Sequence, residues 1–143
     1  VWIKSRNFAT SHGLFDSVRG VFNGLFSDEP LAEVSTGKLS SFNTNGFSLI
    51  GGGNENTSSK TYVAWCWKAG GAPSADGKIK IDETESNISD LVTSTGASLT
   101  PTRISANTKA GFSIVKYVGA GTTNSRTIPH GLSSTPDLII IKD

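Results

Sequence analysis

Tyr62-Val63-Ala64-Trp65-Cys66-Trp67-Lys68 is the stretch on which the fold turns. In extended chain, successive side chains point to opposite faces, so Tyr62, Ala64 and Cys66 share one side and Val63, Trp65 and Trp67 the other. Apolar and aromatic residues fill both sides up to Lys68, which suits a pleated surface better than a helix. A strand that is apolar on both faces is expected at the centre of its sheet, covered from above and below. On this reading Trp65 and Trp67, with Trp2, are core residues rather than a sugar-stacking surface.

Working outward, residues 1–4, 39–42, 47–50 and 112–118 read as further strands, separated by Gly, Asn, Ser and Thr turns such as Gly51-Gly52-Gly53 and Gly119-Ala120-Gly121-Thr122-Thr123-Asn124. Residues 14–19 alternate and read as a strand. Phe15, Val18, Phe22, Leu25 and Phe26 also fall at helical spacing, but Gly20 and Gly24 inside a helix would cost about 1 kcal/mol each. Lys78-Ile79-Lys80-Ile81-Asp82 alternates as a small edge strand would. Residues 84–107 are polar with sparse Ile88, Leu91, Val92, Leu99 and Ile104, and read as an extended arm over another surface. Thr127 to Gly131 reads as a short strand or bend, and the aliphatic run 137–142 as a buried strand. The fold class expected is all-β: an antiparallel β-sandwich with an extended linker arm. Residues 1–70 form a sandwich part, 71–109 the arm, and 110–143 the strands that complete this or an adjacent repeat.

Two self-similarities stand out. Ser40-Ser41-Phe42-Asn43-Thr44-Asn45-Gly46-Phe47-Ser48-Leu49-Ile50 matches Ser105-Ala106-Asn107-Thr108-Lys109-Ala110-Gly111-Phe112-Ser113-Ile114-Val115 in pattern: a polar turn, then Gly-Phe-Ser and an aliphatic pair. Ile139-Ile140-Ile141-Lys142 repeats the pattern of Val1-Trp2-Ile3-Lys4. Sequence of strand character at both ends leads us to expect one period of a longer, repetitive polypeptide. In such an array residues 1–3 and 139–141 take partners from neighbouring repeats or chains by strand addition.

Composition narrows the function classes. The 143 residues carry a net charge of +1, and no basic run marks a surface for nucleic acid. No apolar run reaches the length needed to span a bilayer, so neither nucleic acid nor membrane insertion is expected. Cys66 is the single cysteine, so neither an internal disulfide nor a cysteine-built zinc site is available.

Taken together and in order, several motifs resemble a module of unknown function that recurs in structural proteins of marine bacteriophages. They are Val1-Trp2-Ile3-Lys4-Ser5-Arg6, Leu14-Phe15-Asp16-Ser17-Val18-Arg19-Gly20, Ser41-Phe42-Asn43 with Asn45-Gly46-Phe47, and Tyr62-Val63-Ala64-Trp65-Cys66-Trp67-Lys68-Ala69-Gly70-Gly71. Ser105-Ala106-Asn107-Thr108, Ala110-Gly111-Phe112-Ser113-Ile114-Val115-Lys116-Tyr117 and Pro129-His130-Gly131-Leu132 continue the match. The resemblance covers nearly the whole chain. It implies a concanavalin-like or laminin-G-like sandwich, displayed on a tail fibre, spike or virion surface. The partners it implies are other virion subunits, copies of itself and host surface glycans, with no cofactor and no established catalytic set to carry over.

Ser11, His12, Asp16 and Ser17 lie close in sequence, but no Gly-x-Ser-x-Gly elbow accompanies them. Asp16 and Arg19 are placed to form an ion pair at a strand end. Asp28, Glu29 and Glu33 hold the residue types of a glycosidase dyad, with nothing in the sequence to set them across a cleft. Asp76, Asp82, Glu83, Glu85 and Asp90 have oxygen ligands for calcium without the EF-hand pattern. His130, in a Pro-His-Gly turn, reads as a backbone-shaping residue. Gly51-Gly52-Gly53 lacks the Gly-Lys-Ser/Thr of a phosphate loop. The expectation is therefore a non-enzymatic structural or adhesive module without catalytic or metal residues. A polysaccharide-degrading sandwich and a bacterial surface lectin or filament component are the alternatives.

Overall fold

The computed structural model describes residues 1–35, 38–121 and 123–143; Thr122, within the expected turn at 119–124, lies outside them. The fold is all-β, with antiparallel and mixed sheets and, among the described residues, one short helix. The chain forms two compact units, residues 1–67 with 140–143, and residues 68–139.

The first unit is a two-layer sandwich. One layer is a sheet of β1 (Trp2–Ser5), β2 (Gly13–Leu14), β3 (Leu25–Phe26) and β6 (Tyr62–Trp65), in the order β3-β2-β1-β6. The other is the hairpin of β4 (Leu39–Asn43) and β5 (Gly46–Leu49). Ile3, Phe15 and Leu39 are buried between them, with Phe47, Leu49 and Tyr62 packed alongside. Register explains the fit. Ile3 lies opposite Gly13 on one side and Ala64 on the other, so small neighbours leave room for the Phe15 ring. A Cβ on Gly13 would come within 2.6 Å of that ring.

The strand expected over residues 14–19 stops at Leu14, for a local reason. The Asp16 carboxylate accepts hydrogen bonds from the Val18 and Arg19 N–H groups at 3.0 and 2.9 Å, and Gly20 N–H closes on the Asp16 carbonyl at 3.2 Å. A short acidic side chain that captures the following amides turns the backbone out of a sheet. Arg19 locks the turn, with Nε 2.7 Å from Asp16 Oδ2 and Nη2 donating to the Leu14 carbonyl.

The indole-bearing strand corrects our first expectation. β6 is an edge strand, paired with β1, and Trp65 and Trp67 are 44% and 48% exposed. The inner strands are β1 and β2, and the buried core is Ile3, Leu39 and Phe15 rather than indole-based.

The second unit is a four-stranded mixed sheet in the order β10-β9-β7-β8, from β7 (Lys78–Ile81), β8 (Thr84–Asn87), β9 (Arg103–Asn107) and β10 (Phe112–Lys116). β7 and β9 run parallel, joined through β8 and helix α1 (Ile88–Thr95). Ile79, Ile88, Ile104 and Ala106 form its buried core, with Leu91 and Val92 of α1 packed against them. Two expectations fall here. Residues 78–81 are an inner strand rather than an edge one, paired with β8 on one side and β9 on the other, with Ile79 fully buried, and Asp82 already belongs to the turn that follows. The arm expected over 71–109 instead supplies three strands and a helix, the body of this unit. Gly70 sits so close to both central strands that a Cβ there would lie 2.1 Å from the Ala106 carbonyl oxygen and 2.3 Å from that of Lys80.

The internal similarity of residues 40–50 and 105–115 is structural. Both segments are antiparallel hairpins, and the aligned pairs correspond: Phe42 opposes Phe47 as Asn107 opposes Phe112, and Ser41 opposes Ser48 as Ala106 opposes Ser113. The correspondence ends at a register shift between Leu39 and Ser41.

Residues 127–131 form no strand, although the Thr127 carbonyl accepts from Leu99 N–H. The run 137–142 is not a buried strand either: Leu138, Ile139, Ile140 and Ile141 are 70–77% exposed.

Candidate functional site

The outer face of the first sheet carries the surface with the most recognisable chemistry. Residues paired across strands share a face, so the register sets Leu25, Leu14, Trp2 and Trp65 in one row across all four strands, on the side away from Ile3. The row ends in aromatic rings. Trp2 and Trp65 meet at 5.3 Å between centroids with planes tilted by 43°, a separation within the range of favourable aromatic pairs. Trp67 continues past the end of β6, half-exposed, and Cys66 beside it is an exposed free thiol. The surface is thus apolar and ends at an edge strand, where two indoles present area to solvent.

The other candidates resolve into separate pairs. His12 faces Asp28, not Asp16: its backbone N–H donates to Asp28 Oδ1 at 2.7 Å and its ring Nε2 lies 3.7 Å from Oδ2. The Ser11 hydroxyl donates to Glu29, and Glu33 accepts from Arg19 Nη1 at 3.1 Å. Asp16 is committed to its turn and to Arg19. Serine and histidine therefore each hold a carboxylate of their own, and a triad needs them in line. Likewise Asp28, Glu29 and Glu33 each answer a different partner rather than facing one another.

The acidic residues of the second unit are also dispersed. Asp76 pairs with Arg103 at 2.6 Å, Glu83 lies 3.7 Å from Lys68, and Glu85 accepts from the Ser74 hydroxyl and N–H, both at 2.7 Å. Asp82 accepts from the Thr108 hydroxyl and N–H, which hold its carboxyl below the usual range. Asp82 and Glu83 both take positive φ, 48° and 70°, as a two-residue hairpin turn requires. Among the described residues no three His, Cys, Asp or Glu side chains gather as a metal site.

A shallow groove of about 510 Å³ in the second unit is lined by Ile81, Leu91, Gly96, Thr127, Pro129 and His130. His130 is turned back on its own backbone. Its Nδ1 accepts from Leu132 N–H at 3.0 Å, and its carbonyl accepts from Ser113 Oγ at 2.5 Å. Nδ1 as acceptor leaves Nε2 to carry the proton of the neutral ring. Gly131, at φ +74°, lies over Ile79 and Ala106, where its missing Cβ would have met both at 3.1 Å. Gly51-Gly52-Gly53 lies in the loop after β5.

One buried carboxyl was not singled out in the sequence. Glu55 is 5% exposed, beside Gly13 and close to Lys38, and burial pushes its pKa up. It follows a glycine run in a polar loop, which gives no sign of burial.

The whole chain, residues 1–143, matches the model of a family described as a domain of unknown function (DUF7483), and it belongs to that family. No curated protein and no solved structure matches it.

Proposed function

We propose that this DUF7483 module is a non-enzymatic structural and adhesive element of a bacteriophage virion, displayed on a tail fibre, spike or capsid surface, where it contacts host glycans. The virion assignment is supported by the ordered run of motifs from Val1-Trp2-Ile3-Lys4 to Pro129-His130-Gly131-Leu132. The adhesive role is carried by one observation: Trp65 and Trp67 stand half-exposed at the edge of a sheet, where a folded chain gains nothing by leaving indoles in water. The C–H faces of a pyranose stack on such rings, and the Ser, Thr and Asn side chains of the loops supply weak hydrogen bonds. Each contact is weak. Firm attachment comes from many copies acting together, because a tethered second site binds at high effective concentration.

A bacterial surface-polysaccharide array tests this with the intact protein and the variants Trp65→Ala and Trp67→Ala. Binding is expected for the parent and a loss of tenfold or more for each variant, with unchanged far-UV circular dichroism. Equal binding by parent and variants, or none by any, refutes the adhesive role. Release of reducing ends from a bound polysaccharide would favour the enzymatic alternative.

A further inference from the structure

Ile139-Ile140-Ile141-Lys142 and Val1-Trp2-Ile3-Lys4 share a pattern, yet the structure treats them in opposite ways. Val1-Trp2-Ile3-Lys4 runs into β1, an inner strand, with hydrogen-bonded neighbours on both sides and Ile3 buried in the core. Ile139, Ile140 and Ile141 have no strand partner among the described residues and stand 70–73% exposed. Three consecutive isoleucines are the composition of a strand covered on both faces, and branching at Cβ makes them poor candidates for an exposed coil.

We propose that Ile139–Lys142 is a donated strand: in a second copy of the module it fills the slot that Val1–Lys4 fills in this one. The slot fits residue by residue. Ile141 takes the place of Ile3, between Gly13 and Ala64, where the same side chain already packs on Phe15 and Leu39. Lys142 takes the place of Lys4, opposite Val63, and both lysines are half-buried where they now stand. Ile140 takes the place of Trp2, opposite Leu14 and Trp65, and extends the apolar row of the outer face. That exchange also removes the Trp2 Nε1 donor, which is buried with no hydrogen-bond partner among the described residues. Ile139 takes the place of Val1. The only anchor of the segment in this copy is at its end, where Lys142 Nζ donates to the Leu31 carbonyl at 3.0 Å among the described contacts. The occupant is thus a second copy of this chain, joined through a shared strand. The inference rests on the reading of the module as a repeated surface element and gives it a means of repetition.

A fusion tests it: residues 1–142 followed directly by residues 5–143, so that Ile139–Lys142 serves as the only first strand available to the second copy. A companion fusion carries Gly-Ser-Gly-Ser in place of those four residues. Limited chymotrypsin digestion followed by mass spectrometry reads which copies are folded. The expected result is a protease-resistant product spanning both copies in the first fusion, and trimming back to the first copy in the companion. Loss of the second copy from the first fusion overturns the proposal, and so does equal resistance of both copies in the companion. Neither outcome touches glycan binding, which fails or stands on Trp65 and Trp67.

Discussion

Leu39→Ala cuts the residue that ties the two layers of the first unit together. Leu39 is fully buried on β4, in the same cluster as Ile3 and Phe15 of the facing layer. Removing three carbons at ~0.8 kcal/mol each forfeits about 2.4 kcal/mol of transfer free energy. An unrelaxed void of roughly 50 Å³, at ~24 cal/mol per Å³, adds about 1 kcal/mol. The loss expected is therefore about 3.5 kcal/mol, a large share of the stability of an ordinary domain. Urea denaturation followed by tryptophan fluorescence is the right assay, because all three tryptophans, Trp2, Trp65 and Trp67, belong to the first unit. With a slope of ~2 kcal/mol per molar, the midpoint is expected to fall by about 1.7 M with the slope unchanged. A shift below roughly 0.5 M, equivalent to about 1 kcal/mol on that slope, would mean that Leu39 does not grip the facing layer, and the sandwich would be wrong in its register.

In the second unit, Gly70→Ala drives a methyl group into the backbone carbonyls of Lys80 and Ala106, and a loss of about 3 kcal/mol is expected; hydrogen exchange over residues 78–81 and 103–107 reads it, and unchanged protection counts against the close approach. Glu55 has its folded pKa raised above the ordinary 4.5 by burial, so the fold favours its neutral form. Its stabilising contribution is complete below the unfolded value and is lost as pH rises through the folded one. Glu55→Gln should therefore be more stable than the parent at pH 7, with the gap closing toward pH 4; a less stable variant at pH 7 contradicts this. Asp82 behaves in the opposite sense: Thr108 holds its pKa below the ordinary 3.8, so its contribution is present above that value and lost as pH falls through the folded pKa. Asp82→Asn should flatten the acid side of the midpoint-against-pH curve, and an unchanged acid side argues against the Thr108 contacts.

Much of the fold was legible because alternation and turn residues act locally. The β4–β5 and β9–β10 hairpins follow from Asn45-Gly46 and Ala110-Gly111 set before aliphatic pairs, and their shared register explains why the two segments look alike. What was misread depends on neighbours distant in sequence. Alternation in Lys78-Ile79-Lys80-Ile81 reports which faces are wet, not whether the strand lies at an edge, and β9 arrives beside it from residue 103 onward. The helix did carry a signal: Ile88, Leu91 and Val92 at helical spacing, followed by Gly96 in the left-handed conformation that ends helices. Its threonines and serines, which are weak helix formers, masked that signal. The indole strand misled for a different reason. Apolar residues on both faces signal a need for cover, and burial inside the same chain is only one way to meet it.

The indole edge is proposed as the contact surface, and its tryptophans report on it directly. Titration of the intact, isotopically labelled protein with a bacterial surface polysaccharide, followed through its three indole N–H signals and its isoleucine methyls, tests that proposal. The Trp65 and Trp67 signals are expected to move saturably while the methyls of buried Ile79 and Ile104 hold still. Stationary indoles, or shifts confined to the residues around His130, would contradict it.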